Sequence, residues 1–541
     1  MPSGFVLRNG LTICVTILLL KFFPAYTIHQ SFALTVLALS TFIAIARAVY
    51  HVILYPIFFT PFKHLPMPPN RSLLNGHFAI LRAEPAGHST RQWTKEVPNN
   101  GLLRYYLFGN LERILPISPK ALSEVLVSKC YDFEKPRQVR FGLGRVLGEG
   151  ILFEEGDVHK RQRRLLNPAF SFRHVKDLYP IFWKKGVEMI KAIERSLEES
   201  SDDPKTIRIS DWASRATLDI IGLAGMDHDF DSVNNPTNRL NKEYRKIFSS
   251  PGRLGKLLQF LSLVVSPPIL GKLPMKRNRD INEGAKYVRS VCQQMVQEKR
   301  EKMEMEKKET RSVDILSIAM ESGGFTDDEL VSQMMTFLAA GHETTASALQ
   351  WTIYALCKHP EIQNRLREEV RSSLPSADSA TPITSSHIDS LSYLNAVCSE
   401  VLRFYAPVPL TIRQAVRDTM VLDTFIPKGT AFSISPAATN HNPELWGPDA
   451  GEFNPERWMG PGRANTGGAD SNYSFLTFIH GPRSCIGAAF ARAELACLVA
   501  VMVGRFEMEL LEPEKKLEIK DGVTGTPMDG VVVKPRVLDG W

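Results

Sequence analysis

The first 60 residues carry two long apolar stretches, a pattern that the rest of the chain does not repeat. Residues 11–28 are apolar apart from one lysine, and residues 32–59 are interrupted only by one arginine and one histidine. Spanning the hydrocarbon core of a bilayer takes about 20 mostly apolar residues. The pattern therefore predicts a membrane anchor over residues 1–60, with one membrane-spanning segment or two. A cleaved signal peptide and a buried core helix are the alternatives.

Prolines cluster after the second stretch, in the run PIFFTPFKHLPMPPN at residues 56–70. Because proline cannot continue a helix and holds the chain extended, we expect a stiff spacer here, with a proline-rich hinge at residues 61–70. Residues 71–541 show neither an internal repeat nor a linker, so they predict one domain. Its segments follow mainly the period of α-helices, while short alternating stretches near residues 101–116 and 416–432 predict small β-sheets.

One predicted helix is long enough to cross a whole domain. Thr326 and Glu329 form a capping-box pattern, and the helical pattern runs over residues 330–358 and stops before Pro360. About 30 residues at 1.5 Å each correspond to roughly 45 Å. The helix is apolar nearly all round, so we expect it to be buried. Its middle nevertheless reads AGHETT at residues 340–345, a poor choice for a buried helix unless those groups have a function.

Composition and charge narrow the function classes. A hydrophobic content of 44% over 541 residues is ample for a large core. The net charge of +7 comes without a basic stripe or interleaved aromatic residues, so we expect no nucleic-acid partner, whereas an anionic membrane surface would suit it. The seven cysteines are scattered and odd in number, which argues against a disulfide framework and suits a reducing compartment.

One cysteine near the end of the chain lies in an unusual setting, the run FIHGPRSCIG at residues 478–487. We expect Gly481 and Gly487 to let the backbone fold closely around the Cys485 sulfur, where a Cβ would obstruct it. The alternative interpretation is a buried cysteine that acts as a small hydrophobe.

The same run carries a positive charge close to the sulfur. Arg483 and the N-terminus of a helix predicted over residues 488–499 both favour a lowered thiol pKa, so Cys485 is predicted to be a ready thiolate. Thiolate sulfur suits iron, and a single cysteine without a CxxC partner rules out the usual zinc and iron–sulfur patterns.

The pattern FxxGxRxCxG is the haem-ligand loop of the cytochrome P450 family, and this chain is identified as resembling that family over residues 66–541. The resemblance implies a mainly α-helical haem domain with small β-sheets, tethered by the N-terminal anchor. It also implies haem b as the cofactor, with Cys485 as the ligand of the iron. The residues that occupy the defining positions of the loop are Phe478, Gly481, Arg483, Cys485 and Gly487.

Residues 340–345 also match the oxygen-binding helix signature of that family. In the family the threonine of the signature hydrogen-bonds dioxygen and the acid helps to relay protons. The resemblance gives these roles to Thr344 and Glu343, with Ala340 and Gly341 beside the cofactor, and Gly341 would leave room for oxygen and substrate. The alternative is a polar helix face whose threonine hydrogen-bonds to the preceding turn.

Three charged residues resemble the ionic triad that lies behind the haem loop in the family. Glu400 and Arg403 are three residues apart, on one face of a helix. Arg457 lies in the run FNPERW, which resembles the second arginine motif of the family. A buried ion pair holds geometry more than it adds stability, so we expect a structural role.

Further basic residues resemble donors to the haem propionates. Arg163 matches the arginine of the family's Trp-x-x-x-Arg pattern, and His159 stands where the family usually has tryptophan. Arg413 occupies the position of another propionate-binding arginine in many members. The alternative for this basic helix is a solvated face, which we expect for Lys160, Arg161 and Arg164.

The anchor resembles the membrane-bound, eukaryotic members. These take electrons from NADPH through a separate NADPH-cytochrome P450 reductase, and no flavin or nicotinamide motif appears in this sequence. The expected activity is monooxygenation of a lipophilic small molecule at the endoplasmic reticulum membrane, with the catalytic domain facing the cytosol. Cytochrome b5 is a further candidate partner.

The runs HKRQRRLLNPAF and AGHETT are similar to filamentous-fungal members that act in secondary metabolism. The first expectation is therefore a terpenoid or polyketide substrate, followed by fatty-acid or xenobiotic hydroxylation. We expect residues 133–151 and 408–411 to contribute to specificity. A haem-thiolate isomerase or peroxygenase is an alternative, against which the Glu343–Thr344 pair argues, and a non-catalytic haem-binding protein is another.

Overall fold

The structure is a computed structural model of the 541-residue chain. It describes residues 14–541 except 19, 84, 86, 202–203, 249–269, 272, 306–313, 516 and 521. The described residues fold into two compact units, the first drawn from the ranges 14–80 and 103–114 and the second from the ranges 81–102 and 115–541.

The chain is mainly helical with small sheets, as predicted. Its helices are α1 (Phe32–Val49), α2 (Phe78–Ala83), α3 (His88–Glu96), α4 (Pro119–Ser123), α5 (Arg137–Leu147), α6 (Gly156–Leu166), α7 (Phe172–Lys176), α8 (Tyr179–Glu199), α9 (Ile209–Met226), α10 (Arg239–Ile247), α11 (Lys276–Met305), α12 (Ile315–Glu321), α13 (Asp327–Lys358), α14 (Pro360–Ser373), α15 (Ser385–Asp389), α16 (Ser392–Phe404), α17 (Pro436–Thr439), α18 (Pro443–Trp446) and α19 (Ala488–Arg505).

Short helices of other pitch join these elements. Two have the wider turn of a π-helix, Tyr50–Phe59 and Glu124–Ser128. The short 3₁₀ helices are Pro24–Tyr26, Ile28–Gln30, Phe108–Asn110, Cys130–Asp132, Asn167–Phe170, Pro455–Trp458, Asn472–Ser474 and Gly481–Arg483.

In the first unit, α1 continues into the segment Tyr50–Phe59, so that one helix covers Phe32–Phe59. Its 28 residues are long and apolar enough to cross a membrane, by length and composition alone, and it is the one such helix among the described residues. Of the first apolar stretch, residues 14–18 and 20–22 are helical. Residues 11–13 and 19 lie outside the described chain, so the prediction of a second membrane pass stays a prediction.

The spacer begins later than the prolines predict. We expected an extended chain from Pro56, but Pro56 lies inside the helical segment Tyr50–Phe59. The wider turn there, in which the Thr60 N–H donates to the Tyr55 carbonyl at 2.9 Å, accommodates a residue that has no N–H of its own. Within the same unit, Glu112 accepts hydrogen bonds from Thr60 Oγ1 at 2.9 Å and from the Tyr106 hydroxyl at 2.8 Å.

The strands are short and lie partly outside the predicted places. Those near residues 101–116 and 416–432 were predicted, whereas the two-residue strands and the C-terminal pair were not, because so few residues show no alternation. The strands are β1 (Leu102–Tyr106), β2 (Glu112–Pro116), β3 (Phe133–Glu134), β4 (Ile207–Arg208), β5 (Thr411–Ala415), β6 (Thr419–Val421), β7 (Thr424–Ile426), β8 (Ala431–Ile434), β9 (Phe506–Leu510) and β10 (Val532–Val537).

Antiparallel pairing within the second unit brings distant residues together. β5 pairs with β8 and with β3, and Glu134 lies opposite Gln414 in the β3–β5 register. Lys135 therefore follows the strand end that lies next to Arg413. β10 pairs with β4 on one side and β9 on the other, and β6 and β7 form a hairpin.

The long helix α13 forms as predicted and runs through the core of the second unit. Thr326 Oγ1 accepts from the Glu329 N–H at 3.2 Å, and a Glu329 carboxylate oxygen accepts from the Thr326 N–H at 2.9 Å, so the capping box is complete. Most of its residues are buried against neighbouring helices, which include α9 and α19. In its middle Ala340 is exposed, and Gly341, Glu343 and Thr344 are partly exposed. The polar motif therefore lies where this buried helix opens.

Candidate active site

The loop before α19 presents the Cys485 side chain in an exposed position. The Cys485 N–H donates to the Phe478 carbonyl at 2.8 Å, and the Ser484 N–H donates to the Gly481 carbonyl at 2.9 Å. These bonds close the loop on itself directly before α19, which begins at Ala488 as predicted and continues to Arg505.

The two glycines of the loop have different roles from those expected. Gly481 has a φ of 78°, and a Cβ there would collide with the carbonyl oxygen of Leu126. Gly487 has an ordinary φ of −89°, and the nearest side-chain atom to a Cβ there, on Phe170, would be 3.8 Å away. The expectation that Gly481 makes room for the sulfur is therefore wrong, because this glycine lets the loop approach the segment Glu124–Ser128.

The prediction of a lowered thiol pKa at Cys485 is also wrong. The sulfur is open on one side, but the protein around its other sides desolvates it and raises the pKa of Cys485, and the Gly487 N–H and the Arg163 guanidinium oppose that rise without reversing it. Arg483, which the sequence placed next to the sulfur, forms its ion pair with Glu155 instead. The cation that acts on Cys485 in the folded protein is Arg163.

Arg163 bridges α6 and the cysteine loop. Its guanidinium donates to the Ser484 carbonyl at 2.6 Å and to the Asn167 side chain at 3.0 Å. His159, one helical turn earlier, is buried, and its Nδ1 lies 3.2 Å from the Tyr131 hydroxyl. The two residues that resemble propionate donors therefore lie on the side of α6 that meets the loop.

Several basic side chains act on one another beside this loop. Burial lowers the pKa of His159 to about 4, and the positive charges of Arg483, Lys135, Arg163 and Arg413 contribute to this shift. These five basic residues, of which His159 is neutral above a pH of about 4, are called the cation cluster below.

Two other members of the cation cluster, Arg413 and Lys135, show the same repulsion. Burial lowers the pKa of Arg413 to about 10, helped by Arg483. The pKa of Lys135 lies well below its usual value because of burial and the charge of Arg413. Glu155 is the carboxylate that opposes both shifts, and it also accepts from the Lys135 N–H at 2.9 Å. One carboxylate thus faces several buried positive charges.

Two neighbours of Arg163 differ in their surroundings. We expected Arg161 on a solvated face, and that is wrong, because it is partly buried and pairs with Glu329 and with the Gly324 carbonyl. Arg164 is exposed, as expected.

In the middle of α13, Glu343 and Thr344 each have one hydrogen-bond partner among the described residues. Thr344 Oγ1 donates to the Ala340 carbonyl at 2.7 Å, which is the bond to the preceding turn that the alternative interpretation named. Glu343 Oε1 accepts from Thr524 Oγ1 at 3.2 Å. The second carboxylate oxygen of Glu343 and the lone pairs of Thr344 have no further hydrogen-bond partner among the described residues.

Gly341 serves helix packing. A Cβ at Gly341 would lie 3.1 Å from two side-chain carbons of Ile221, which is closer than ordinary van der Waals contact. The space beside Gly341 is therefore taken by Ile221 of α9. The expectation that this glycine leaves room for oxygen and substrate is wrong, and Ala340 is the residue of the motif that is open.

The structure brings the three residues of the expected triad together in the core. Arg403 and Glu400 form two hydrogen bonds of 2.7 and 2.8 Å, and both side chains are fully buried. Arg457 Nε lies 3.7 Å from Glu400, and its strongest partner is Asp449, at 2.8 Å. Glu400 also accepts from the Trp458 indole N–H at 2.9 Å.

Asn440 connects this triad to the cysteine loop. Its carbonyl accepts from Arg403 at 2.7 Å, while its side chain donates to Thr477 Oγ1 at 2.8 Å and accepts from the Leu476 N–H at 2.8 Å. Since Thr477 directly precedes Phe478, the buried arginine fixes the position from which the loop starts.

Sequence reasoning missed four residues of this site: Lys135, Glu155, Asn440 and Thr524. Each is a single polar residue outside any periodic pattern, and its partner lies far away in the chain. One signal was available for Glu155, which directly precedes the start of the basic helix α6.

Known proteins resemble this chain over most of its length. The family model described as Cytochrome P450 matches residues 66–535. Cytochrome P450 monooxygenase sphH of Aspergillus fumigatus is 52% identical over 524 residues, which cover 96% of each chain. Two further relatives are 41% identical: cytochrome P450 monooxygenase FUM15 of Gibberella moniliformis, with 92% of each chain covered, and FSL4 of Gibberella zeae, with 95% covered.

The match to the family model and the identity to these monooxygenases agree with the resemblance in the cysteine loop and in α13. The chain belongs to the cytochrome P450 family of haem-thiolate monooxygenases.

Proposed function

We propose that Cys485 is the ligand of the haem iron and that the cation cluster holds the haem propionates. The observation that carries this proposal is the excess of buried positive charge beside an exposed thiol. Arg413 and the side chain of Arg483 are each 4% exposed, and His159, which its lowered pKa keeps neutral, adds a buried imidazole beside them. Buried charges are costly unless they are paired, so this region fits a ligand that brings negative charge.

Haem b meets that requirement, since it carries two carboxylates and an iron that accepts thiolate sulfur. Arg163, His159, Arg413, Arg483 and Lys135 are the side chains that would hold the propionates. When bound, haem iron activates dioxygen, so that one oxygen atom enters the substrate and the other leaves as water. Coordination to iron favours the deprotonated thiol, which offsets the effect of burial on the pKa of Cys485.

Glu343 and Thr344 supply the polar groups on the substrate side. Glu343 is held by Thr524 through one oxygen, so its other oxygen is free to receive a proton and pass it on. Thr344 is held by the Ala340 carbonyl, which fixes its hydroxyl at the open part of the helix. Positioned acid–base groups of this kind typically contribute about 10²–10⁴-fold to a rate.

We also propose that residues 1–60 hold the enzyme on the endoplasmic reticulum with residues 71–541 in the cytosol, after a hinge at residues 61–70. Electrons then come from NADPH through a separate reductase, with cytochrome b5 as a further donor. The apolar helix Phe32–Phe59 supports the membrane attachment.

The substrate is proposed to be a lipophilic small molecule of fungal secondary metabolism, a terpenoid or a polyketide. The fungal origin of the similar monooxygenases supports this choice of substrate class. Hydroxylation of a fatty acid or a xenobiotic is the second candidate. The choice between these substrate classes can be tested with a substrate panel. The purified enzyme is incubated with reductase, NADPH and each candidate, and the oxidised products are identified.

Replacement of the ligand gives the first prediction. Cys485→Ala should abolish the red-shifted Soret band that thiolate-ligated haem shows when reduced and bound to carbon monoxide. Cys497→Ala, in the helix that follows, should keep the band, because that side chain is fully buried in the core. An unchanged band in the Cys485 variant would show that another group binds the iron.

Removal of one side chain that is proposed to donate to a haem propionate gives the second prediction. Arg163→Ala should lower the affinity for haem about tenfold to a hundredfold, because a charge-assisted hydrogen bond is worth about 1.5–3 kcal/mol. The haem-to-protein ratio of the purified protein measures this. Arg164→Ala is the matched control, since Arg164 is the next residue and is exposed. Equal ratios in the two variants would contradict the role of Arg163.

The third prediction concerns coupling. Thr344→Ala should leave the carbon monoxide spectrum intact but lower the product formed per NADPH and raise the release of hydrogen peroxide. Glu343→Gln should slow turnover because it cannot pass a proton. Thr352→Ala is the control, because Thr352 makes the same bond to its preceding turn, at 2.8 Å, in the same helix. Normal coupling in both site variants would show that neither residue governs oxygen activation.

The fourth prediction concerns the membrane. After carbonate extraction of a membrane preparation, the full chain should stay in the pellet, because an apolar helix of 28 residues is long enough to span the bilayer. Release of the chain into the supernatant, or glycosylation at Asn70, would contradict the proposed topology.

A further inference from the structure

The histidine in the middle of the AGHETT run lies in the core, away from the open part of α13. His342 is 1% exposed, and its Nε2 lies 3.3 Å from Ser214 Oγ of α9. Ser214 Oγ in turn accepts from the Asn241 side chain of α10 at 3.0 Å, and all three side chains are buried. Three helices from different parts of the chain therefore meet through one series of side-chain hydrogen bonds.

The direction of these hydrogen bonds follows from the chemistry of the groups. Burial lowers the pKa of His342, so the imidazole is neutral and one of its nitrogens accepts. Because the Asn241 amide donates to the Ser214 hydroxyl, the proton of that hydroxyl is left for His342 Nε2. The Tyr244 ring, with its centroid 5.1 Å from that of the imidazole, packs against it. The hydrogen bonds thus run from α10 through α9 to α13, with one donor and one acceptor at each step.

The same face of α9 also holds the backbone of α13. Thr217 Oγ1 donates to the His342 carbonyl at 3.0 Å. One turn further along α9, Ile221 packs so closely that a Cβ at Gly341 would lie 3.1 Å from it. Ser214, Thr217 and Ile221 are three and four residues apart, so they lie on one face of their helix. This face of α9 therefore contacts both the side chain and the backbone at the centre of the motif.

These contacts determine how α13 is rotated about its own axis. An α-helix turns by about 100° for each residue, so Ala340 and Thr344, two residues before and after His342, are each rotated by about 200° from it. They face nearly the opposite side of the helix, and there Ala340 is exposed and Thr344 is partly exposed. A rotation of α13 by the angle of one residue would turn the Thr344 hydroxyl away from the opening.

We propose that His342 is a positioning residue for the reaction. Its hydrogen bonds to α9 and α10 hold the rotation of α13 that keeps Thr344 at the opening. This inference rests on the proposed function, because it takes Thr344 as a group that acts beside the iron. An apolar side chain could fill the same space, but apolar contacts are non-directional, whereas a buried hydrogen-bond network specifies one arrangement. His342 therefore acts through Thr344 and does not itself reach the opening.

The test uses the full-length holoenzyme with carbon monoxide as the probe. The infrared stretching frequency of carbon monoxide on the reduced iron responds to the polar groups beside it, and its measurement needs no substrate. Thr344→Ala removes one such group directly and gives the reference shift. Ser214→Ala and His342→Leu break the series of hydrogen bonds, whereas His342→Gln keeps a side-chain oxygen that accepts from Ser214.

Gln350→Leu is the matched control. Gln350 is 5% exposed in the same helix, but its amide donates within α13, to the Ala346 carbonyl at 3.1 Å. The midpoint of thermal unfolding is measured for every variant. Both leucine variants should lower this midpoint, so the comparison separates a loss of stability from a change in the orientation of α13.

Ser214→Ala and His342→Leu should shift the carbon monoxide frequency in the same direction as Thr344→Ala does, because the Thr344 hydroxyl turns away from the iron. His342→Gln and Gln350→Leu should keep the wild-type frequency. Ser214→Ala, which removes a single oxygen atom, decides the test if His342→Leu does not bind haem. The proposal is wrong if Ser214→Ala keeps the wild-type frequency while Thr344→Ala shifts it, or if Gln350→Leu shifts it as far as His342→Leu.

Failure of the proposed function would look different. An unchanged frequency in Thr344→Ala itself would show that this hydroxyl does not lie beside the iron, and the role of His342 would then be wrong together with that of Thr344. A missing thiolate band in the carbon monoxide spectrum of the wild-type protein would remove Cys485 as the ligand, a result that does not depend on any variant of α9 or α13.

Discussion

The concentration of positive charge beside the cysteine loop is the constraint on which the rest of this site depends. Its residues come from four segments of the chain: Lys135 after β3, His159 and Arg163 on α6, Arg413 on β5, and Arg483 in the loop itself. Burial lowers the pKa values of Lys135, His159 and Arg413. Folding brings these groups together at a cost that Glu155 offsets only in part. In our proposal the two carboxylates of haem remove that cost, so binding of haem and stability of the fold should be tightly linked.

Behind the loop, by contrast, the buried charges are fully paired. Glu400 pairs with Arg403, and three backbone carbonyls, of Asn440, Ala450 and Glu452, accept the remaining hydrogen bonds of that arginine. A saturated buried network of this kind fixes geometry. Through Asn440 it fixes where the loop begins, while Arg163 fixes Ser484 next to the sulfur. One network therefore positions the loop that carries Cys485, the proposed iron ligand, and in our proposal the cofactor completes the other.

Much of the fold could be predicted because its signals are local. The N-terminal cap of α13 is formed by Thr326 and Glu329, and Pro360 marks the end of the helix. The boundaries of this helix could therefore be derived from residues that are close together in the sequence. The pKa of Cys485 could not be derived in the same way. The sequence places Arg483 next to the cysteine, but the fold pairs it with Glu155 and brings Arg163 to the loop. Likewise, Lys135 joins the site only because β3 pairs with β5, a strand that lies far away in the chain.

The most direct test of the central claim compares haem with its dimethyl ester, in which both propionates have lost their charge. The apoprotein is loaded with each cofactor, and the midpoint of thermal unfolding is measured for both complexes. If the cation cluster is built for the propionates, haem should raise the midpoint clearly and the ester should raise it much less, although Cys485 can bind the iron of either. Equal stabilisation by the two cofactors would contradict the account, because the buried positive charges would then have no need of the propionates.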